Sequence, residues 1–229
     1  CRLEVTFDDV TVVVASNSQA LIDKLGRYYS DFKGSGGTTV IEVTAIEAGP
    51  PAFDLPLAVH PREPGKTKLK EASIDLPDGR VVRKLLTGLV FLFGQGKNYA
   101  VGPCLDNDNQ IVNFINNRFI EHRLKRGALL FHAAGVARDG AGLVIAGFAG
   151  AGKSTLALEI MGHGTDFISN DRVMVSRDND SLTMAGVAKM PRINPGTVLH
   201  NPNLAPVMSD EDRTRFSALP QAEIGRAHV

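Results

Sequence analysis

The sequence lacks several features that mark large classes of protein. It contains two cysteines, Cys1 and Cys104, which cannot make a disulfide framework, so a reducing cytoplasm is the expected compartment. Its net charge is zero, with 25 Lys and Arg residues against 25 Asp and Glu residues, and this balance argues against nucleic acid as the main partner. No apolar run approaches the roughly 18 residues that span a bilayer, and no signal-peptide pattern opens the chain, so no membrane partner is expected.

The composition is otherwise that of a chain with a substantial core. Its 229 residues suffice for one large domain or two small ones, and 43% of them are hydrophobic. Cys104 is expected to be a buried apolar residue. The chain begins with Cys1 instead of methionine, so we expect that upstream sequence is missing. Residues 223–229 (EIGRAHV) match one translation frame of a common sequencing adapter, so we expect the natural sequence to stop near Ala222 and give this tail no role.

Residues 1–108 predict an N-terminal α+β domain of unknown role. Short runs rich in β-branched residues, separated by turn residues, are typical of strands that pair mostly antiparallel. One segment instead has apolar residues at helical spacing behind a serine cap. The predicted elements are strands on both sides of Asp8-Asp9, a helix capped by Ser16 or Ser18, a strand in TTVIEVTAI, an irregular proline-rich stretch over 49–64, and hairpins around 77–79 and 94–96.

A helix over 109–127 is predicted to connect this domain to the rest of the chain. An Asp/Asn-rich start offers caps, and a Lys-Arg-Gly sequence at 125–127 is a typical helix end. Apolar residues recur at helical spacing between them. The predicted buried set is Ile111, Phe114, Ile115 and Phe119.

Residues 142–164 (GLVIAGFAGAGKSTLALEIMGHG) carry the clearest chemical motif. Gly147, four further residues and then Gly152-Lys153-Ser154 form the Walker A pattern of a phosphate loop. Glycines let backbone N–H groups turn toward phosphate oxygens, and a helix that begins near Lys153 presents its positive end to the same anion. LVIA predicts a buried strand before the loop. A glycine-rich turn without a ligand is the alternative interpretation.

The helix after the loop, in STLALEI, is predicted to place Leu156 and Ile160 on one face. The motif makes ATP and Mg²⁺ the expected ligands, with Lys153 reaching the β- and γ-phosphates and the Ser154 hydroxyl holding the metal. The residues predicted to bind the nucleotide are Gly147, Gly150, Ala151, Gly152, Lys153, Ser154 and Thr155.

A second hard oxygen ligand for Mg²⁺ is expected from an acid at the end of a neighbouring strand. DFISNDRVMV offers Asp171 at a turn between two apolar runs. Ser154 and Asp171 are therefore the predicted metal ligands. An Asn-Asp pair that only forms the turn is the simpler alternative.

His132 lies in a predicted apolar strand one hairpin before the phosphate loop. An imidazole at that place could relay a proton near neutral pH. A single histidine in an apolar strand is also typical of a core residue, and spacing alone favours this second interpretation.

The order of these features resembles the catalytic domain of the HPr serine kinase/phosphorylase family. The stretch FHAAGVARDGAGLVIAGFAGAGKSTLALEIMGHGTDFISNDRV contains that family's histidine strand, short hairpin, Walker A loop and acidic turn in order. GRVVRKLLTG, NFINNR, FHAAGVA and PRINPGT look most like the HPr-kinase-related bacterial proteins. The resemblance covers about 128–200. It implies an α/β P-loop kinase domain of the HPr kinase or phosphoenolpyruvate carboxykinase type, with a mixed sheet, over 128–222 and truncated at its C-terminus.

The resemblance also implies roles for individual residues. His132 falls on the family's active-site histidine, and Asp171 falls on the second acid of its Asp-Asp pair. Asn170 replaces the first acid, which lessens the expectation of the family's reverse, phosphorylase reaction more than that of the kinase reaction. Arg192 is a candidate cation beside the transferred phosphoryl group. Family members assemble through C-terminal helices, so a full-length protein is expected to be a homo-oligomer.

The function that these features predict is an ATP-dependent kinase that phosphorylates a serine or similar hydroxyl of a protein or peptide. Lys153, Asp171 and His132 are its expected catalytic residues, acting mainly by positioning and electrostatics. Asp171 is expected either to bind the metal or to take the hydroxyl proton with help from His132. One alternative is a regulatory module that binds ATP without phosphotransfer. Another is a small-molecule kinase, for example one acting on free serine.

Overall fold

The structure is a computed structural model that describes residues 1–62, 68–191, 193–220 and 224. Arg192, the candidate cation, and the 223–229 tail apart from Ile224 lie outside the described residues. The chain divides into two compact units, Cys1–Arg123 and Leu124–Val229. Both contain helices and sheets, so the fold class is α/β.

The N-terminal unit is built on one eight-stranded mixed sheet. Its strands, in chain order, are β1 (Arg2–Phe7), β2 (Val10–Ser16), β3 (Thr39–Glu47), β4 (Ala58–Val59), β5 (Glu71–Leu76), β6 (Gly79–Lys84), β7 (Val90–Gly94) and β8 (Lys97–Gly102). In space they follow the order β1-β2-β3-β8-β7-β6-β5-β4. Among the described strands only the β2–β3 and β3–β8 pairs are parallel, so the prediction of mostly antiparallel pairing is confirmed.

Helix α1 (Gln19–Tyr28) connects β2 to β3 and supplies the crossover that a parallel pair requires. The hydroxyl of Ser18 accepts a hydrogen bond from the backbone N–H of Leu21 at 3.3 Å. Of the two predicted caps, Ser18 is therefore the N-cap. A 3₁₀ turn (Ser30–Phe32) follows the helix.

Helix α2 (Asp108–Lys125) is the helix predicted over 109–127. It ends before Gly127, whose φ of +87° lies in the left-handed region that favours glycine at a helix end. No helix within the described ranges has both the length and the hydropathy that a bilayer span requires. All four residues predicted to form the apolar face of α2 are buried: Ile111, Phe114, Ile115 and Phe119. Cys104, just before the helix, is buried as predicted.

The C-terminal unit contains two three-stranded sheets, ordered β11-β10-β12 and β14-β13-β9. Every strand pair described in this unit is antiparallel, so the mixed sheet of the chain lies in the N-terminal unit instead. The elements are β9 (Leu129–Phe131), β10 (Ala133–Arg138), β11 (Ala141–Ala146), α3 (Lys153–Met161), β12 (Asp166–Ser169), β13 (Val173–Asp178), β14 (Ser181–Gly186), α4 (Pro195–His200), a 3₁₀ segment (Pro202–Val207) and α5 (Asp210–Ser217).

Strand β10 is the centre of the first of these sheets. It pairs with β11 on one side and with β12 on the other, and both pairs are antiparallel. Strands β11 and β12 therefore run in the same direction, and α3 makes the connection between them. The phosphate loop at the end of β11 and the acidic turn at the end of β12 thus meet at one edge of the sheet.

The expectation that LVIA forms a buried strand was wrong. Strand β11 is mostly exposed, with Leu143 at 52%, because within the described residues it pairs only with β10 and forms an edge of a small sheet. On α3, Leu156 is 49% exposed. The buried face runs instead through Ala157 and Leu158. Ile160 packs against the small core around Ala157 as expected.

Candidate active site

The phosphate loop connects β11 to α3 and owes its shape to glycine. Gly150 and Gly152 have φ values of +80° and +83°, which side chains rarely tolerate. A Cβ atom built on either residue would meet no other atom within 4 Å, so the space beside the loop is open. Gly147 is the tight point, because a Cβ there would lie 3.4 Å from that of Ala151. The backbone N–H of Ala151 closes the turn by donating to the carbonyl of Phe148 at 3.1 Å.

Helix α3 begins immediately after Gly152, and its start has no side-chain cap in the part of the chain that the structure describes. The first N–H groups of a helix have no partner within the helix. Together with the positive end of the helix dipole, they form a binding site for an anion. The predicted phosphate-binding geometry is therefore present around Lys153, Ser154 and Thr155.

Lys153 lies inside the loop rather than pointing to solvent. The residue is 8% exposed. Its Nζ atom donates to the carbonyl oxygens of Gly147 at 2.9 Å and Phe148 at 3.0 Å. A buried ammonium must be hydrogen-bonded, and these two carbonyl oxygens satisfy that need. The same position puts the charge at the centre of the anion site.

The acidic turn lies against the first residues of α3. The hydroxyl of Ser154 donates to the carbonyl oxygen of Asn170 at 3.1 Å. The turn itself is held by Ser169, whose hydroxyl accepts from the backbone N–H groups of Asp171 at 3.3 Å and Arg172 at 3.2 Å. The structure thus brings the predicted metal ligands to one place, although they lie 17 positions apart (171 minus 154) in the sequence.

Asp171 is the electrostatic centre of the site. Its Oδ2 atom accepts from Nζ of Lys189 at 2.6 Å, and its Oδ1 atom lies 3.3 Å from Nδ1 of His132. Burial would raise the pKa of this carboxyl group, but the hydrogen bond and charge of Lys189, with the charges of Arg172 and His132, outweigh burial and lower the pKa from 3.8. A carboxylate with a lowered pKa is a poor proton acceptor at neutral pH, so Asp171 is poorly suited to general-base catalysis.

His132 does not occupy the apolar core, and the interpretation as a core residue was wrong. Its side chain is 66% exposed, because it stands at the bend between β9 and β10 instead of inside a strand. Nδ1 also lies 3.0 Å from the carbonyl oxygen of Asp171. The next residue, Ala133, pairs with Ala146 directly before the loop. The predicted placement of His132 beside the phosphate loop is therefore confirmed.

Two cavities flank the loop. The smaller, of about 370 Å³, is lined by the side chains that carry the proposed chemistry: His132, Lys153, Ser154, Asn170, Asp171 and Lys189. The larger, of about 680 Å³, lies along α3 and α4 and is lined by Thr155, Glu159, Thr197 and His200, among others. The hydroxyls of Thr155 and Thr197 lie 2.9 Å apart, so α4 directly borders the first turn of α3 beside the glycine-rich loop.

Lys189 and Thr197 are the site residues that sequence reasoning missed. Lys189 belongs to no motif, and Thr197 ends the PRINPGT stretch but had no predicted role; each approaches its partner only through tertiary contact. The sequence had indicated Arg192 as the second cation beside the transferred phosphoryl group. The structure instead places Lys189, three positions earlier (192 minus 189), on the carboxylate of Asp171.

The donor atoms present fit a magnesium ion of the P-loop type. No group of three or more His, Cys, Asp or Glu side chains among the described residues could hold a metal. Magnesium beside a nucleotide needs less, since phosphate oxygens and water complete its octahedron. One hydroxyl and one carboxylate, from Ser154 and Asp171, line the same cavity. Both are the hard oxygen ligands that this ion prefers.

No protein-family model matches the chain, and a search of curated proteins finds no significant match. The geometry of the site is therefore the basis on which a function is assigned.

Proposed function

We propose that the protein is an ATP-dependent kinase that transfers the γ-phosphoryl group to a serine or similar hydroxyl of a protein or peptide. The proposal follows the HPr serine kinase/phosphorylase family, which residues 128–200 resemble. The observation that carries it is the convergence of the phosphate loop, Asp171 and His132 on one cavity of about 370 Å³. Nucleotide binding alone needs the loop, whereas transfer to a hydroxyl also needs a metal ligand and a proton acceptor beside it.

The binding step belongs to the loop and the start of α3. The ammonium of Lys153, now on the carbonyls of Gly147 and Phe148, exchanges these partners for phosphate oxygens. Ser154 and Asp171 would hold Mg²⁺, which would supply positive charge to neutralise the β- and γ-phosphates. Most of the rate enhancement comes from this positioning and charge stabilisation.

Proton transfer belongs to His132. The contact of Nδ1 with the Asp171 oxygens orients the ring, so that Nε2 is the nitrogen that accepts the hydroxyl proton. The exposed side chain is accessible to an acceptor that enters from solvent. The cavity admits a serine side chain of a peptide or a molecule the size of free serine, so the acceptor assay includes both classes.

The first experiment compares the protein with Lys153→Ala in MgATP binding and in transfer of labelled γ-phosphate to a serine-containing peptide library and to free serine. We expect the substitution to abolish nucleotide binding or turnover and to leave the fold intact. Lys97→Ala, at the exposed start of β8, is the matched control and should behave as the parent does. Unchanged nucleotide affinity in Lys153→Ala would contradict the assignment of the loop. Tight ATP binding by the parent without release of labelled phosphate to any acceptor would instead favour the regulatory module.

A further inference from the structure

We propose that Lys189 is a second cation of the phosphoryl-transfer site, held on Asp171 before MgATP binds and moved to the γ-phosphoryl oxygens when Asp171 serves as a ligand of Mg²⁺. The proposal rests on the kinase function above. It gives a catalytic role to a residue that no motif marks.

The segment that carries Lys189 is anchored beside the acidic turn. The backbone N–H of Val187 donates to the carbonyl of Arg172 at 3.3 Å, next to Asp171 in the chain. Val187 and Ala188 are buried, whereas Met190 is 63% exposed. Lys189 follows these two buried residues, and its side chain lines the cavity that also contains Lys153.

The charges of the cavity place Lys189 and a metal ion in competition. Oδ2 of Asp171 is occupied by Nζ of Lys189 at 2.6 Å, and the other carboxylate oxygen faces His132. The neighbouring residue is Asn170, which is neutral, so this turn offers a single carboxylate. The ammonium would therefore leave Asp171 if this carboxylate held a magnesium ion. The incoming triphosphate would then offer the released charge a new partner.

The chemistry of lysine suits this transfer between partners. Its ammonium is a compact charge on a flexible four-carbon stem, so it can move by several ångströms without a change in the backbone. In the transition state, negative charge is spread over the equatorial oxygens of the transferred group. A cation that reaches those oxygens stabilises the transition state, whereas one that stays on Asp171 makes no contact with the transferred group.

The test measures binding of fluorescent ADP as a function of Mg²⁺ concentration in the parent, Lys189→Met and Lys189→Arg. ADP has no γ-phosphate, so this readout involves no turnover. Because the competing ammonium is gone, we expect Lys189→Met to lower the Mg²⁺ concentration at half-maximal binding about tenfold, the scale of a charge-assisted hydrogen bond. Lys189→Arg keeps the charge and should stay near the parent. Lys97→Met is the control for loss of a lysine elsewhere.

Turnover at saturating Mg²⁺ gives the second readout. We expect kcat of Lys189→Met to fall by about 10²-fold, while the KM for ATP changes only a few-fold, because the interaction is made mainly in the transition state. An unchanged Mg²⁺ midpoint or an unchanged kcat would overturn the proposal.

Lys189→Gln is a second variant, which keeps a hydrogen-bond donor for Asp171 if Lys189→Met does not fold. Unfolding of both variants would also overturn the proposal, because it would make Lys189 a structural residue. Failure of the parent to bind MgADP at all would refute the kinase function itself, and so is distinguishable from a failure of Lys189 alone.

Discussion

Replacement of His132 by glutamine distinguishes a catalytic ring from one that only supports the acidic turn. Glutamine keeps a polar side chain of similar reach but cannot exchange a proton at neutral pH. The ring has contacts of 3.0 and 3.3 Å with Asp171, and its side chain is 66% exposed. Loss of one hydrogen bond at such a site costs at most about 1 kcal/mol, because water replaces the partner.

The expected catalytic effect is larger than this structural one. Removal of an acid–base partner lowers turnover by about 10²-fold, which corresponds to about 2.7 kcal/mol of transition-state stabilisation. We therefore expect His132→Gln to keep its MgADP affinity and to lose no more than a few degrees in Tm, while kcat falls by two orders of magnitude. The assay combines thermal melting, nucleotide titration and transfer of labelled phosphate, with turnover expressed per folded molecule.

His163→Gln is the matched control. This histidine is also exposed and also faces a carboxylate, with Nε2 at 3.8 Å from Glu159, but it lies at the opposite end of α3 from the loop. Its substitution should leave kcat unchanged. If His132→Gln lost much of its stability and retained normal turnover per folded molecule, the ring would be a structural residue and the proposed proton transfer would be refuted.

Three further predictions follow from the described contacts. Asn170→Asp adds a second carboxylate to the acidic turn and should raise phosphate-dependent dephosphorylation of a phosphorylated acceptor; rapid reverse reaction by the parent would contradict the reasoning. The pKa of Asp171 is lowered in the folded state, so its ion pair with Lys189 should stabilise the protein fully at pH values above the unfolded pKa of 3.8. This stabilisation should decrease as the pH falls below that value, and the pH dependence of Tm in the parent and in Asp171→Asn measures the decrease. Burial, with a smaller contribution from the charge of a nearby glutamate, raises the pKa of Cys104 to about 12, so iodoacetamide at pH 8 should label exposed Cys1 alone until the protein is denatured; labelling of native Cys104 would show that this core opens.

Features that depend on neighbouring residues could be predicted from the sequence. The hairpin at Asp8-Asp9, the cap at Ser18 and the buried face of α2 all follow from contacts within one turn or one helix. The phosphate loop is of the same kind, because its glycines, Lys153 and the start of α3 are consecutive. Such local rules need no knowledge of the rest of the fold.

Burial along β11 and α3 could not be predicted in this way. An apolar strand such as LVIA is compatible with either a central or an edge position, and only the strand order decides between them. The same holds for α3, where Leu156 is exposed and Leu158 is buried, because the neighbouring helices determine which face is covered.

The sequence by itself therefore determined that this protein has a phosphate loop, an acidic turn and a histidine in an order that suggests phosphoryl transfer. Only the tertiary structure decided that His132 is exposed and oriented by Asp171, and that Lys189 occupies the carboxylate on which the metal is expected. The reason is physical. The environment of a charge depends on groups that approach through space, and the partners of Asp171 come from 39 positions before it (171 minus 132) and 18 after it (189 minus 171).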